Sequence, residues 1–249
     1  MKIAIAGGTG VVGRHVVAAA RAAGHEPLVL SRSTGADLTI ADGLAGRLAG
    51  AGAVIDVSST TSLSSKVAAR FFGTVTDNLI EAERDAGVPH HVALSIIGAA
   101  KAPSGHYAGK AVQEHKVTNS GDGWSILRTT QFHEFARQTT ERLSFGGLQL
   151  APAMRCQPIA AAEVAADLVR IAAGPPLGLE TDLAGPREED MADLVRRYLK
   201  AMGKRTPVVR VAPPGVLGRA MRDGSLLPGP DARLGTQTFD DWLAAIQRS

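Results

Sequence analysis

The fold is decided by the opening stretch of the chain, Met1-Lys2-Ile3-Ala4-Ile5-Ala6-Gly7-Gly8-Thr9-Gly10-Val11-Val12-Gly13. Residues 3–6 form an apolar run that predicts a strand, and residues 11–23 have helical spacing. Three glycines, Gly7, Gly10 and Gly13, accompany the turn between these elements. A strand, a glycine-rich turn and a helix in this order predict a dinucleotide-binding site, whereas the alternative is a purely structural turn.

Each glycine has a physical role in the predicted site. Gly7 allows a turn that a side chain would obstruct, Gly10 lets the main chain approach a pyrophosphate, and Gly13 lets the helix pack closely. The unpaired N–H groups and partial positive charge at the helix start attract phosphate without a basic side chain. The cofactor contacts predicted in this segment are Gly7, Thr9, Gly10, Val11, Val12 and Gly13.

The composition is that of an ordinary globular protein. The 249 residues are 45% hydrophobic and 20% charged, with a net charge of +3. The scattered basic residues do not indicate a nucleic-acid partner, and no apolar run reaches the ~20 residues needed to cross a bilayer. The single cysteine, Cys156, excludes an internal disulfide and fits a reducing compartment. We therefore predict a cytoplasmic protein without a nucleic-acid or membrane partner and, since no histidines have metal-ligand spacing, without a metal site.

Strand and helix patterns alternate along the first part of the chain. Strands are predicted at 26–30, 36–38, 53–57, 91–97 and 124–127, and helices at 44–49, 67–86 and 107–117. Alternation of this kind, with continuous apolar strands, predicts a doubly wound parallel sheet, an α/β Rossmann fold with helices on both faces. Functional residues should then lie just after the strands.

The pattern changes beyond residue 150, where prolines punctuate shorter elements. Helices are predicted at 162–173, 189–202 and 238–245, and strands at 179–183 and 208–211. Thr238 is the expected N-cap of the last helix, with Asp241 three residues on. We predict a dinucleotide-binding core at 1–150 and a small C-terminal extension at 151–249, which completes the same domain and the substrate cleft.

The end of the second predicted strand indicates which cofactor is preferred. An acidic residue there would bind the 2′-hydroxyl of NAD, but the chain has Ser31, Arg32 and Ser33, and a guanidinium can pair with the extra phosphate of NADP. NADP(H) is therefore favoured over NAD(H); the alternative is that Arg32 is a solvated loop residue. Further cofactor contacts are predicted after the strands, at Asp37, Leu38, Val57, Ser58, Ser59 and Thr130.

The motifs resemble those of the short-chain dehydrogenase/reductase superfamily, in its atypical NmrA-like, NAD(P)H-binding branch. The resemblance covers essentially the whole chain, and its marks are Gly7 to Gly13, Ala93 to Gly98, Lys110 followed by Glu114, Leu127 to Phe132, and Gln157-Pro158-Ile159 followed by Glu163-Val164-Ala165. It implies a serine that positions a carbonyl, a tyrosine that donates a proton, and a lysine four residues later that lowers the tyrosine pKa and holds the nicotinamide ribose.

The match to this catalytic pattern is incomplete. Ser95 and Lys110 stand where the resemblance implies, but the residue four before Lys110 is His106, and Tyr107 is displaced by one. Positions three and four apart are both neighbours on a helix, so either His106 or Tyr107 can approach Lys110. Ser95, His106, Tyr107 and Lys110 are the catalytic candidates, with Lys110 also a cofactor ligand; alternatively, each has only a local structural role.

An incomplete proton donor favours conjugated acceptors, which spread the charge that hydride transfer builds. The leading hypothesis is an NADPH-dependent reductase of a conjugated, quinone-like or aromatic small molecule, with Phe132 and Phe135 in the substrate pocket. Further candidate pocket residues, which can equally be core, are Phe71, Phe72, Phe145 and Met154. The alternatives are a non-catalytic NADP(H) sensor that binds a regulatory protein, and a nucleotide-sugar isomerase or epimerase. A homo-oligomer is compatible with the resemblance.

Overall fold

The computed structural model describes residues 1–248. Its strands are β1 (Lys2–Ala6), β2 (Glu26–Leu30), β3 (Ala51–Asp56), β4 (His91–Ile96), β5 (Trp124–Thr129), β6 (Ser144–Phe145), β7 (Leu148–Pro152), β8 (Arg155–Cys156), β9 (Gly178–Leu179), β10 (Leu183–Ala184), β11 (Glu189–Asp190), β12 (Val208–Val211) and β13 (Arg233–Leu234). Its helices are α1 (Val11–Ala22), α2 (Leu44–Leu48), α3 (Ser65–Ala86), α4 (His106–Thr118), α5 (Glu134–Arg142), α6 (Ala161–Ala172), α7 (Met191–Ala201), α8 (Gly215–Asp223) and α9 (Phe239–Gln247).

The chain divides into two compact units, each described by itself. Unit 1 comprises Met1–Arg128 and Ala162–Thr181; unit 2 comprises Thr129–Ala161 and the chain from Asp182 onward. The chain therefore leaves unit 1, returns to it for twenty residues and leaves again. The division expected at residue 150 stays a prediction.

Unit 1 is built on a sheet with the strand order β5-β4-β3-β1-β2, and β9 lies beside β5. The pairs β1–β2, β1–β3, β3–β4 and β5–β9 are parallel. In register, Ile5 of β1 lies between Val29 of β2 and Ile55 of β3. This confirms the predicted Rossmann architecture and gathers the ends of β1, β2 and β3 at one edge of the sheet.

The strands of unit 1 are buried on both faces. Ala4, Ala6 and Val54 pack on one side in a cluster with apolar residues of α2 and α3. Because side chains alternate along a strand, the fully buried Ile3 and Ile5 occupy the opposite face. A sheet that is buried on both sides needs helices on both, which is why these strands are continuous apolar runs.

Unit 2 holds shorter elements. Strands β12, β7 and β6 form a three-stranded sheet, β11 pairs with β8, and β10 pairs with β13 and with Thr129. At the start of α9 the Thr238 hydroxyl accepts from the Asp241 N–H, and the Asp241 carboxylate accepts from the Thr238 N–H. The predicted N-cap is therefore confirmed, and with it the start of the last helix.

One predicted strand, at residues 36–38, is wrong. Ala36 and Leu38 are buried in the cluster beneath α2 and α3, but they pair with no strand. Between them the exposed Asp37 accepts hydrogen bonds from the N–H and the hydroxyl of Thr39, which turn the chain. A loop that covers a core thus imitates the alternation of a strand.

Two further boundaries differ from the prediction. The strand expected at 179–183 is two short strands, β9 and β10, which pair with different residues of β5. The helix expected from 189 begins at Met191, because Asp190 is its N-cap and accepts from the Ala192 N–H. No helix among residues 1–248 combines the length and the apolar character needed to cross a membrane.

Candidate functional site

The turn after β1 has room only for glycine at two positions. Gly7 has a φ of +82°, and a Cβ there would lie 2.8 Å from Ser58 Cα and 2.9 Å from the Val57 carbonyl oxygen. A Cβ on Gly13 would lie 2.2 Å from the Gly7 carbonyl oxygen. At Gly10 the same contact is 3.2 Å, so this position is the most permissive of the three. The turn is folded tightly against the end of β3 and against the first turn of α1.

The first turn of α1 presents unpaired N–H groups. Gly10 is the N-cap, no side chain caps the helix, and the first intrahelical bond joins the Arg14 N–H to the Gly10 carbonyl at 3.1 Å. The N–H groups of Val11, Val12 and Gly13 precede that bond and are available to an anion. Thr9 and Gly10 are exposed.

The end of β3 contributes a buried polar group with no partner. The Oγ atom of Ser58 is shielded from solvent and makes no hydrogen bond, while the Ser58 N–H donates to Asp56 Oδ1 at 2.8 Å. Val57 is also buried, and Ser59 is exposed. An unsatisfied hydroxyl is costly to bury, so its place beside Gly7 fits a polar ligand that would accept or donate there. Together with the two crowded glycines, it makes the turn fit a dinucleotide.

The end of β2 is a polar loop with an exposed guanidinium. The hydroxyl groups of Ser31 and Ser33 lie 2.9 Å apart, and the Arg32 side chain is exposed in a short 3₁₀ turn. Hydrogen bonds from Thr39, the largest cause, lower the pKa of Asp37. Leu38 has its side chain in the core and its carbonyl bound to Asn78 at 2.9 Å. Arg32 and its serines can therefore meet a phosphate; the predicted roles of Asp37 and Leu38 stay predictions.

Lys110 is a buried charged residue, with 5% of its surface exposed. Its ammonium group donates to the Leu94 carbonyl at 2.7 Å and to Gln113 Oε1 at 2.8 Å, and lies 4.4 Å from the centre of the Phe72 ring. Burial lowers the pKa of Lys110 to about 8, although the charges of Asp56 and Glu114 act to raise it. The ammonium group is thus held by one contact each to β4, α4 and α3.

Ser95 and Glu114 form a second buried arrangement. The Ser95 hydroxyl donates to Glu114 Oε1 at 2.5 Å, and Arg128 holds the same carboxylate with two hydrogen bonds of 2.8 and 2.6 Å. The bidentate guanidinium favours the ionised carboxylate. Ser95 therefore points its one hydrogen atom at Glu114.

The two candidate proton donors occupy the first turn of α4. The His106 ring meets the Phe72 ring edge-on, with the centroids 5.2 Å apart, and Tyr107 is buried with 7% of its surface exposed. Lys110, Ser95, His106 and Tyr107 are therefore all near one end of β4 and α4. Which of them transfers a proton stays a prediction.

The remaining predicted residues belong to unit 2 or to the core. The Thr130 hydroxyl donates to the Gln157 carbonyl at 2.5 Å, and Phe132 and Phe135 are half-buried. Among the additional candidates, Phe72 and Met154 are fully buried, Phe71 packs against the core of unit 1, and Phe145 is 80% exposed. Within residues 1–248, no three His, Cys, Asp or Glu side chains cluster as a metal site.

Three residues of this region, two of them buried and one partly exposed, were not predicted. Asp56, Gln113 and Arg128 each hold a predicted residue or its neighbour, although Arg128 lies within a quoted motif. The available signal was helical spacing, since Gln113 and Glu114 follow Lys110 by three and four positions on one face of α4. Their partners on β3 and β5 are far away in sequence.

Comparisons with known proteins connect this fold to solved structures. No family model matches the chain, and no curated protein matches it significantly. The structure of an Escherichia coli NADPH-dependent quinone oxidoreductase complexed with NADPH has a TM-score of 0.73 at 19% identity, covering 98% of this chain and 99% of that one. Citrobacter sp. triphenylmethane reductase complexed with NADP(H) has a TM-score of 0.71 at 16% identity, covering 99% and 100%.

A third structure carries the name of the superfamily. It is a short-chain dehydrogenase/reductase superfamily protein from Agrobacterium tumefaciens with bound NAD, with a TM-score of 0.70 at 19% identity, covering 100% of this chain and 96% of that one. At these identities the likeness concerns the fold. The chain therefore shares the fold of these three solved structures, in agreement with the predicted Rossmann architecture.

Proposed function

We propose that this protein is an NADPH-dependent reductase of a conjugated, quinone-like or aromatic small molecule. The observation that carries the proposal is the glycine turn, where Gly7 and Gly13 have no room for a Cβ and the unpartnered Ser58 hydroxyl lies alongside. The same fold in proteins named as an NADPH-dependent quinone oxidoreductase and a triphenylmethane reductase supports the choice of reaction.

Different residues of unit 1 would bind different parts of NADPH. The N–H groups of Val11, Val12 and Gly13 would bind the pyrophosphate, and Arg32 with its flanking serines would bind the 2′-phosphate. Lys110 would face the nicotinamide ribose. Bound NADPH would supply a hydride, and the protein's own groups would orient the acceptor and manage its charge.

The hydrogen bond of Ser95 supports a substrate that can accept a hydride without a proton donor beside it. Its hydrogen atom is directed at Glu114, so in this arrangement it does not stabilise an alkoxide on a simple ketone. A quinone or a delocalised cation spreads or cancels the added charge and can be protonated later by water. The geometry thus favours conjugated substrates over simple ketones.

The test is turnover with matched acceptors. Purified protein and NADPH are mixed in turn with a quinone, a triarylmethane dye and a non-conjugated ketone, and the loss of NADPH absorbance is followed. We expect the first two to react and the ketone to react at least about tenfold more slowly. Gly13→Val should abolish turnover, whereas Gly46→Ala, at a glycine with open space around it, should retain it. A preference for the ketone would contradict the proposed substrate class.

A second candidate is a non-catalytic NADP(H) sensor. This candidate is favoured by the contacts of Lys110, because its ammonium group already has three partners within unit 1 that occupy it without a substrate. Calorimetric binding of NADPH without turnover of any acceptor would support the sensor and overturn the reductase. Absence of NADPH binding would overturn both.

A further inference from the structure

A continuous line of hydrogen bonds joins Lys110 to the turn that follows β3. The ammonium group donates to Gln113 Oε1 at 2.8 Å, Gln113 Nε2 donates to Asp56 Oδ2 at 2.7 Å, and the Ser58 N–H donates to Asp56 Oδ1 at 2.8 Å. Ser58 is the residue that a Cβ on Gly7 would strike. The line therefore connects the end of β4 to the glycine turn through side chains of unit 1.

Gln113, in the middle of this line, has the donor and the acceptor that its two neighbours require. An amide has an acceptor for the ammonium group on one side and a donor for the carboxylate on the other, so Gln113 bridges two opposite charges without carrying one. Both Gln113 and Asp56 are completely buried, with 0% of their surfaces exposed. Buried polar groups at such positions must be fully paired, and this line pairs them.

Two carboxylates act on the ammonium group of Lys110. Burial lowers the pKa of the Lys110 ammonium group, and Asp56 on β3 and Glu114 on α4 oppose that effect. Asp56 also acts on the buried pair of Glu83 and His91, and the His106 ring lies against Phe72. Asp56 thus acts on Lys110 from β3, whereas Glu114 shares α4 with the lysine. Gln113 links Asp56 to Lys110 by one hydrogen bond to each.

We propose that Gln113 and Asp56 are positioning residues for Lys110, which hold its ammonium group at the end of β4 and couple its proton to the main chain of Ser58 beside the glycine turn. The role of that coupling in cofactor binding rests on the proposed function. The hydrogen-bonded line itself belongs to the ligand-free protein and can be tested there.

The first test follows the unmodified protein by NMR with uniform ¹⁵N labelling, which reports lysine ammonium groups, glutamine side-chain amides and backbone amides. As pH is raised, the Lys110 ammonium resonance, the Gln113 side-chain amide and the Ser58 backbone amide should titrate with one midpoint near that of Lys110. A Ser58 amide that does not respond to the Lys110 titration would overturn the proposal. This measurement needs no variant and is unaffected by folding defects.

Variants then separate positioning from packing. Gln113→Met and Asp56→Asn should each lower the Lys110 midpoint by about one pH unit and remove the response of Ser58, since burial then acts with less opposition. Asp77→Asn is the matched control, because Asp77 of α3 forms an exposed ion pair with Lys116 of α4, away from the hydrogen-bonded line. It should change neither the Lys110 midpoint nor the Ser58 response. An unchanged Lys110 midpoint in a folded Gln113→Met protein would contradict a positioning role.

Cofactor binding gives the last readout. If Lys110 holds NADPH, Gln113→Met should raise the Kd for NADPH about tenfold, with Asp77→Asn close to the unmodified protein. If Lys110, Gln113 and Ser58 titrate together but the protein neither binds nor oxidises NADPH, the proposed function is overturned and the positioning line stays intact. Normal turnover of NADPH, with a Ser58 amide that does not follow the Lys110 titration, would overturn the positioning line and leave the proposed function intact.

Discussion

The hydroxyl of Ser95 donates its hydrogen atom to Glu114 Oε1 at 2.5 Å, and Arg128 donates to both oxygens of the same carboxylate. This relationship engages the hydrogen atom that the role implied by the resemblance would use. The resemblance assigns it to a substrate carbonyl, whereas here the hydrogen atom is occupied inside the protein. Its oxygen lone pairs are what it can still offer to another group.

Replacing Ser95 should therefore have a modest effect. Ser95→Ala removes one hydrogen bond while Arg128 still satisfies Glu114, so we expect a loss of about 1 kcal/mol in the free energy of unfolding. Glu114→Gln weakens the bidentate pair and should cost about 2 kcal/mol, since Arg128 is partly exposed. Urea denaturation measures both. A larger loss for Ser95→Ala than for Glu114→Gln would show that the hydrogen bond from Ser95 matters more than the ion pair.

The glycine turn should not tolerate a methyl group at its crowded positions. Gly7→Ala and Gly13→Ala each force a Cβ against main-chain atoms and should lower the free energy of unfolding by about 2 kcal/mol. Gly46→Ala, on the exposed side of α2, is the control and should be neutral or stabilising by about 1 kcal/mol. Thermal unfolding compares the three variants. Equal stability of all three would mean that the turn relaxes easily.

Arg32 should discriminate between the two nicotinamide cofactors. Arg32→Ala removes a guanidinium that can pair with the 2′-phosphate, so the Kd for NADPH should rise at least about tenfold while the Kd for NADH changes little. Arg21→Ala removes the same charge from the opposite end of α1 and serves as the control. Fluorescence titration gives the Kd values. Equal weakening of both cofactors would remove the assignment.

The stability contributed by Lys110 should depend on pH in a defined direction. The pKa of Lys110 in the folded protein is about 8, lowered by burial from 10.5. Between these values the unfolded chain binds a proton that the folded protein has released, so the free energy of unfolding rises with pH; below the folded pKa the burial penalty is present in full. Relative to Lys110→Met, the unmodified protein should gain about 2 kcal/mol from about pH 7 to about pH 10.

Denaturant titrations of both proteins at several pH values measure this difference. The comparison cancels the groups that the two proteins share, including Cys156 and the tyrosines. A constant difference across that range would show that Lys110 titrates in the folded protein as it does in the unfolded chain.

Cys156 should be unreactive in the folded protein. Burial, with smaller contributions from Asp190, Glu189 and Glu188, raises the pKa of its thiol far above the ordinary value. A thiol-reactive dye should label the native protein at least about a hundredfold more slowly than the urea-unfolded protein. Rapid labelling without denaturant would show that unit 2 opens around β8.

Local sequence patterns predicted the elements whose burial is regular. The apolar run of β1, the glycines before α1 and the predicted end of α3 at residue 86 each follow a local rule, and all three agree with the structure. Helix α5 was missed because its sequence is largely polar, with Ala136 and Thr139 as its buried residues. Its one large apolar residue, Phe135, is too little to produce an apolar stripe with helical spacing.

The candidate site was predictable only where a residue belongs to a motif. Lys110 and Ser95 were found through the resemblance, and Gly7 and Gly13 through their spacing. Asp56 and Gln113 are 57 positions apart, and no local pattern indicates that a strand end and a helix face will share a hydrogen bond. Such contacts depend on the order of the strands, which local spacing alone does not supply.

The return of residues 162–181 to unit 1 has a consequence for how the protein can be dissected. A gene fragment that stops at residue 150 would lack α6 and β9, and so would leave one side of β5 without its partner strand. Neither unit can be obtained by a single cut of the chain. A self-contained fragment of unit 1 would instead require residues 1–128 to be spliced to residues 162–181 by a short linker.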